Sequence, residues 1–249
     1  RKRRRIDMRT VVWFSCGAAS FACAYLLKDT DALLVYCDTG GEHPDNKRFM
    51  ADAEKFLWKK VTVLKSKEYS DHMDVVEKTG WVNGPQGARC TAELKKKLRF
   101  QFQEVDDIQI FGYTAEEKDR AERFCKAFPE VNARFPLIEK SLSHDNCVGL
   151  VKRLGIEVPM MYKLGFNNNN CIGCVKGGMG YWNKIREHFP EQFDRMAKIE
   201  RKVGASCIKG TFLDVLNPKS GHKLKEPDMT CDFVCQSVLQ QAKEEGILG

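Results

Sequence analysis

The chain has 249 residues, of which 43% are hydrophobic and 30% are charged, enough to bury one α/β core and a smaller subdomain. No apolar run reaches the length that spans a membrane, and no apolar leader core follows the basic residues 1–5. We therefore expect a cytoplasmic protein with no membrane partner. The formal charge is +7, but residues 1–5 supply five of these charges, so the basic character belongs to a tail at residues 1–9. Such a tail either contacts nucleic acid or precedes a start at Met8.

Strands and helices alternate along the first half of the chain. Hydrophobic periodicity predicts strands at 11–14, 32–36, 61–64, 108–111 and 134–137, and helices at 18–27, 44–59, 92–103 and 115–128. Alternation of this kind predicts an open, mostly parallel sheet with helices on both faces. We place this α/β domain at residues 10–140 and a mainly helical, cysteine-containing subdomain at residues 141–249.

The first predicted strand runs into a loop of small residues, Ser15-Cys-Gly-Ala-Ala-Ser20, which leads directly into a helix. Such a loop aims backbone N–H groups and the positive end of the helix at an anion, and bulky side chains would block the approach. Ser15, Gly17 and Ser20 are our phosphate-binding candidates. The spacing matches neither the P-loop nor the G-x-G-x-x-G fingerprint, and close packing of strand against helix is the alternative explanation.

Two further strand ends carry candidate residues. In an open α/β sheet the ligand lies beyond the carboxyl ends of the strands, so these loops are expected to share one crevice. Asp38, Thr39 and Gly40 follow the second strand, where they bind a ribose, a nucleobase or Mg²⁺, unless they form an ordinary Asx turn. Gly112 and Arg120 follow the fourth strand; the alternative for Arg120 and its neighbour Lys118 is a solvated charged helix face.

A second cluster of chemistry is the C-x-x-C segment Cys171-Ile-Gly-Cys174. Two thiolates at this spacing grip one metal ion or cluster from a tight turn, and structural zinc or iron–sulfur sites use four ligands. The candidates that complete the set are Cys90, Cys231 and Cys235, and a redox C-x-x-C is the competing idea. The chain has eleven cysteines in all, an odd and scattered number that argues against a disulfide framework. The others are interpreted as ordinary free thiols: Cys16, Cys23, Cys37, Cys125, Cys147 and Cys207.

These motifs together resemble the phosphoadenosine phosphosulfate reductase family, of the adenine-nucleotide alpha-hydrolase-like superfamily. The resemblance covers most of residues 10–190 and rests on the Ser15–Ser20 loop, the segment Tyr36-Cys-Asp-Thr-Gly40, Gly112 with Arg120, and Cys90 with the C-x-x-C pair. It implies an adenine nucleotide, either ATP or a sulfonucleotide, bound with or without Mg²⁺, and Asp38 and Arg120 as catalytic residues.

The adenylyl-sulfate reductases of this family bind a [4Fe–4S] cluster through two adjacent cysteines and a C-x-x-C pair about eighty residues later. Here Cys171 follows Cys90 by 81 residues, but Arg89 stands where the adjacent cysteine would be. The resemblance therefore implies three ligands, Cys90, Cys171 and Cys174. We assign the fourth to Cys235, with Cys231 or an open coordination position as alternatives.

The resemblance implies sulfur transfer in one of two forms. Either ATP adenylylates an acceptor on a nucleic acid or small molecule and sulfide displaces AMP, or a sulfonucleotide is reduced; a sulfur donor or reductant protein is then a partner. The reductases end in Glu-Cys-Gly-Leu/Ile-His, which this chain lacks, since it has Thr230-Cys-Asp-Phe-Val-Cys-Gln236. The alternative from another class is a nucleic-acid-binding module with zinc held by four cysteines and a vestigial loop.

Overall fold

The computed structural model describes residues 8–84, 87–224, 227 and 229. The chain forms two compact units, each assembled from three segments. Unit 1 consists of Arg1–Cys37, Pro44–Leu64 and Phe102–Pro159, and unit 2 consists of Asp38–His43, Lys65–Gln101 and Met160–Gly249. The predicted basic segment 1–7 lies outside the described residues, and the predicted boundary near residue 140 stays a prediction.

A five-stranded, all-parallel sheet organises unit 1 and confirms the α/β prediction. Its order is β3-β2-β1-β4-β5, with β1 at Thr10–Trp13, β2 at Leu33–Asp38, β3 at Val61–Lys65, β4 at Ile108–Ile110 and β5 at Asn132–Arg134. The central strand β1 pairs in parallel with β2 and with β4. Its residues Val11 and Val12 are both fully buried, as expected of a strand covered on both faces.

Eleven α-helical segments occur in the described residues. They are α1 Ala18–Leu26, α2 Asn46–Leu57, α3 His72–Thr79, α4 Arg89–Thr91, α5 Lys97–Phe102, α6 Lys118–Ala127, α7 Pro136–Glu139, α8 His144–Arg153, α9 Met160–Lys163, α10 Met179–His188 and α11 Pro190–Val203. In unit 1, α1 packs against α2, α7 and α8, and in unit 2, α11 packs against α3 and α10. None of the helices in the described part of the chain is both long and apolar enough to cross a membrane.

The structure corrects several of the predicted elements. The predicted strand at 134–137 is wrong, because β5 ends at Arg134 and Pro136 opens α7, where its missing N–H is not needed. Helix α3 was not predicted, since its eight residues carry only a short apolar pattern. The predicted helix at 92–103 begins three residues earlier, with α4, and continues through a π-helical turn, Ala92–Lys96, into α5, which ends at Phe102.

Candidate functional site

The loop between β1 and α1 of unit 1 has a strained backbone. Cys16 adopts φ 56° in the left-handed region and is fully buried. A non-glycine residue in this region costs free energy, and such residues cluster at functional sites. Gly17 then caps α1 in an extended conformation, so the chain turns sharply from the strand into the helix. The turn presents the first N–H groups of α1, which have no acceptors within the helix itself.

Ser20 holds this loop together from inside. Its hydroxyl oxygen accepts the Gly17 N–H at 3.3 Å, and its hydroxyl proton is donated to the Gly17 carbonyl at 2.9 Å. Ser20 is buried, whereas Ser15 is exposed at the end of the strand. The geometry therefore favours Ser20 as a residue that shapes the loop and leaves Ser15 accessible to a ligand. Phosphate binding by Ser15, Gly17 and Ser20 stays a prediction.

Gly112, a second predicted site residue of unit 1, packs closely against the start of α1. It follows β4, and a Cβ at this position would lie 3.1 Å from the Ser20 nitrogen and 3.2 Å from the Ala19 carbonyl carbon. These are backbone atoms of α1, so they cannot swing aside as a long side chain would. The end of β4 and the start of α1 therefore meet within unit 1 as the strand-end argument expected.

Arg120 is buried at the start of α6, although its neighbours in the sequence suggested a solvated charged face. That alternative is wrong for Arg120 and holds for Lys118, which is exposed. The guanidinium lies 3.9 Å from the centroid of the Tyr113 ring and forms an ion pair with Glu117. Glu117 in turn accepts the Thr114 N–H at 3.0 Å. The arrangement fixes Arg120 in place, and a role in binding or catalysis stays a prediction.

Asp38 begins the first segment of unit 2 and forms the Asx turn that the sequence offered as the alternative. Its Oδ1 accepts the Gly40 N–H at 2.8 Å, and its Oδ2 lies 3.6 Å from the Lys65 Nζ. Gly40 has φ +68°, and a Cβ there would lie 1.9 Å from the Ser70 carbonyl oxygen. Close packing thus accounts for Gly40, while ribose or Mg²⁺ binding by Asp38 and catalysis by this carboxylate stay predictions.

Three predicted ligands gather on one cavity of unit 2. Cys90, Cys171 and Cys174 all line it, although they come from chain segments about eighty residues apart. The other lining residues are His72, Ala88, Thr91, Lys95, Asn170, Val175 and Lys176. Cys90 is the middle residue of α4, and the π-helical turn Ala92–Lys96 follows directly after α4 ends at Thr91. Such turns inside helices occur frequently at functional sites.

The C-x-x-C turn is held by hydrogen bonds from distant parts of unit 2. The Thr39 hydroxyl lies 3.1 Å from the Cys171 sulfur, and the Ile172 N–H is donated to the Gly41 carbonyl at 2.8 Å. Gly173 takes the left-handed conformation that the tight turn needs, with φ +76°. Thr39 therefore contacts the predicted ligand Cys171 directly. The sequence analysis had assigned Thr39 to nucleotide binding instead.

Tyr181 on α10 clamps both ends of this turn. Its hydroxyl proton is donated to the Cys171 carbonyl at 2.8 Å, and its oxygen accepts the Cys174 N–H at 3.0 Å. Burial raises the pKa of Tyr181 well above its ordinary value, and the nearby Cys174 and Cys171 thiol groups raise it further. The phenol therefore stays protonated and keeps its donor. Sequence reasoning missed Tyr181, for which an amphipathic helix after the C-x-x-C pair was the only signal.

His72 on α3 supports the middle of the same turn. Its Nε2 lies 3.1 Å from the Gly173 carbonyl, so Nε2 carries the proton, because a carbonyl oxygen only accepts. Burial lowers the pKa of His72, and the hydrogen bond to Gly173 opposes this only in part. The ring also packs against Gly41, where a Cβ would lie 2.0 Å from Nδ1. The neutral imidazole is thus a fixed structural support.

The donor set of the cavity suits a thiophilic metal or an iron–sulfur cluster. Lys95 and Lys176 line the same cavity, and Lys95 lies 3.5 Å from the Glu42 carboxylate. As the side chains stand, no three His, Cys, Asp or Glu residues in the described ranges are arranged to hold a metal ion. Metal or cluster binding by Cys90, Cys171 and Cys174 therefore stays a prediction.

The remaining cysteines divide by burial. Cys16, Cys23 and Cys147 are buried, Cys37 and Cys207 are partly buried, and Cys125 is exposed. Burial raises the pKa of Cys147 to about 11 and that of Cys23 further still, so both stay as unreactive thiols. The other two calls, Cys231 and the assigned fourth ligand Cys235, lie outside the described residues.

Comparison with protein-family models gives no match for this chain, and comparison with curated protein sequences gives none either. The chemistry of the two regions therefore rests on their residues and geometry.

Proposed function

We propose that this protein is a sulfur-transfer enzyme that binds an adenine nucleotide in unit 1 and an iron–sulfur cluster in unit 2. The observation that carries the proposal is the gathering of Cys90, Cys171 and Cys174 on one cavity, in a spacing that resembles the adenylyl-sulfate reductases. An ordinary structural role would not require thiols from two distant segments to line one cavity.

In unit 1, the start of α1 binds the phosphate groups of the nucleotide. The N–H groups of its first turn and the positive end of its dipole stabilise negative charge there, and α1 carries no acidic residue in its first turn to oppose it. Ser15 contributes an exposed hydroxyl, and Gly112 keeps the neighbouring loop close. Fixed dipoles of this kind stabilise charge that develops on leaving phosphates. Arg120 is the proposed catalytic group of unit 1. Asp38, which belongs to unit 2, is the other proposed catalytic group, with or without Mg²⁺ bound to its carboxylate.

In unit 2, Cys90, Cys171 and Cys174 would hold the cluster. A bound cluster would supply electrons or an activated sulfide, depending on which form of the reaction occurs. The Thr39 hydroxyl donates to the Cys171 sulfur once that sulfur is a thiolate, and Tyr181 and His72 hold the turn in position. Outer hydrogen bonds of this kind orient ligands and adjust their basicity.

The first experiment measures iron and acid-labile sulfide per chain after anaerobic purification. We expect a brown protein with about four irons in the wild type, and loss of iron in Cys90→Ser, Cys171→Ser and Cys174→Ser. The matched control is Cys125→Ser, since Cys125 is exposed on α6 of unit 1 and should leave the iron content unchanged. A colourless protein with stoichiometric zinc would contradict the proposal and favour the zinc-containing binding module.

The second experiment identifies the nucleotide and the reaction. Calorimetric titration compares ATP, adenosine phosphosulfate and its 3′-phosphorylated form, with GTP as the control for the adenine base. Release of sulfite from a sulfonucleotide would indicate reduction, whereas release of AMP and pyrophosphate from ATP with sulfide and an acceptor, including DNA or RNA, would indicate thiolation. Failure of every adenine nucleotide to bind would overturn the nucleotide half of the proposal.

A further inference from the structure

A fourth thiol of unit 2, Cys207, shares the surroundings of the three predicted ligands. It follows α11 and packs with Cys90 against the same buried apolar cluster that contains Cys174. Burial raises the pKa of Cys207 well above its ordinary value, and Glu200 and then the Cys174 and Cys90 groups raise it further. Cys207 and Cys90 thus pack against one buried cluster together with Cys174, although they lie far apart in sequence.

The backbone at Cys207 is anchored by a buried carboxylate. Glu200 on α11 is fully buried, and its two oxygens accept the Cys207 N–H at 2.6 Å and the Leu213 N–H at 2.7 Å. Gly204 ends α11 in the left-handed conformation, so the chain reverses immediately before this anchored segment. A buried carboxylate is costly unless its hydrogen bonds are satisfied, and here both oxygens hold one loop. The fixed position of Cys207 is thus built into the fold.

A closed thiolate site needs one ligand more than the C-x-x-C pair and Cys90 supply. Cys207 is the one cysteine of unit 2, among the described residues, that is not already among the predicted ligands. We propose that Cys207 is the fourth ligand of the centre formed by Cys90, Cys171 and Cys174, and that Glu200 is its positioning residue. This inference rests on the proposed function, and it replaces Cys235 and the open coordination position as the fourth ligand.

Ligation by Cys207 exchanges one bond for another. The S–H bond would break, a sulfur–iron bond would form, and the thiol proton would pass to solvent. No electron is transferred in this step. Metal binding of this kind releases protons and favours the folded state.

Peptide-resolved alkylation of the wild-type protein tests the proposal directly. The full chain is loaded anaerobically with ferrous iron and sulfide, and the alkylation rate of each cysteine is compared before and after the iron is removed by a chelator. We expect Cys90, Cys171, Cys174 and Cys207 to be protected by the bound iron and sulfide. Exposed Cys125 should react at the same rate in both states.

Iron release from variants supplies the second measurement. Cys207→Ser is expected to lose iron to the chelator about tenfold faster or more, because loss of an outer partner alone already weakens metal sites tenfold. Cys147→Ser, a buried thiol of unit 1, is the matched control and should release iron at the wild-type rate. Glu200→Gln should accelerate release less than Cys207→Ser, because Gln keeps one acceptor oxygen for the loop.

The outcomes separate the two proposals. Protection of Cys90, Cys171 and Cys174 without Cys207, together with wild-type iron release from Cys207→Ser, would overturn the fourth ligand and leave the proposed function standing. Protection of Cys231 or Cys235 in place of Cys207 would do the same. A wild-type protein that takes up no iron and shows no protected cysteine would overturn the proposed function itself.

Discussion

The loop between β1 and α1 of unit 1 and the C-x-x-C turn of unit 2 are both tight turns, but they are held in different ways. Cys16 and Gly17 form the loop with a hydrogen bond to a hydroxyl three residues away, whereas the C-x-x-C turn depends on Thr39, His72 and Tyr181. A locally built turn tolerates changes elsewhere in its unit. When a turn depends on distant side chains, substitution of any one of them is expected to displace the thiols of the turn.

The largest effect is expected at the centre of the C-x-x-C turn, in Gly173→Ala. The left-handed φ of +76° costs an alanine about 1–2 kcal/mol, and a Cβ would lie 2.8 Å from the Met73 Cε and 3.1 Å from the Trp182 ring. Overpacking adds about 1–3 kcal/mol. Urea unfolding should therefore show a loss of about 2–5 kcal/mol in the free energy of unfolding.

Gly165→Ala is the matched control for this change. Gly165 also belongs to unit 2 and has φ +78°, but a Cβ there would meet nothing within 4 Å. It should show only the left-handed cost of about 1–2 kcal/mol. Equal losses at the two glycines would contradict the view that the turn is tightly packed against its supports.

Tyr181→Phe should give the next largest effect. The variant keeps the ring but leaves the buried Cys174 N–H without its acceptor, which costs about 1–3 kcal/mol. It should also release iron faster than the wild type, because the turn that presents Cys171 and Cys174 is loosened. Tyr69→Phe is the control, since the Tyr69 hydroxyl makes no hydrogen bond within the described residues. A similar loss of stability in Tyr69→Phe would contradict the view that the Tyr181 hydrogen bonds stabilise the turn.

Gly112→Ala should separate binding from stability in unit 1. The added Cβ would lie 3.1 Å from the Ser20 nitrogen, so the start of α1 must shift by a few tenths of an ångström. We expect about tenfold weaker nucleotide binding by calorimetry, with a stability loss of about 1 kcal/mol. Gly149→Ala in α8, whose Cβ would meet only the flexible Arg153 tip, should bind normally. Unchanged binding by Gly112→Ala would place the nucleotide elsewhere.

The smallest effect is expected at Asp71, which caps α3 ahead of His72. Burial raises the pKa of Asp71, but hydrogen bonds from Arg195 and the Asp74 N–H lower it by more than burial raises it. The pKa of Asp71 therefore lies below its ordinary value of 3.8. A lowered carboxyl pKa stabilises the fold above pH 4 and loses this effect as the pH falls through the folded-state pKa. Asn caps helices as well as Asp, so Asp71→Asn removes only the ion pair.

Thermal unfolding of Asp71→Asn and the wild type should be compared between pH 2 and pH 7. Because Arg195 is partly exposed, the difference at pH 7 should be below about 1 kcal/mol. It should shrink to nothing at the acid end. A difference that persists when the carboxyl is protonated would mean that Asn fails to replace the cap.

Local patterns were sufficient for the elements of the sheet. The apolar runs at 11–14, 32–36, 61–64 and 108–111 predicted four strands to within two residues. The central strand β1 is a continuous apolar run because it is covered on both faces, whereas the edge strand β3 was found although it is largely exposed. The fifth was displaced because Pro136 opens a helix rather than closing a strand. Helix α3 was missed, although it carries His72, because a short helix is stabilised by tertiary packing more than by its own pattern.

The sequence by itself determined the parallel α/β fold and the loop from β1 into α1, because both follow from the order of apolar and small residues along a short stretch of chain. The spacing of Cys90 and the C-x-x-C pair also predicted that these three thiols belong to one site, and all three line one cavity. Only the tertiary structure decided which residues hold that pair: Thr39, His72 and Tyr181 come from three segments of unit 2. It alone brought Cys207 into the same cluster, since burial and side-chain proximity depend on packing that no local spacing encodes.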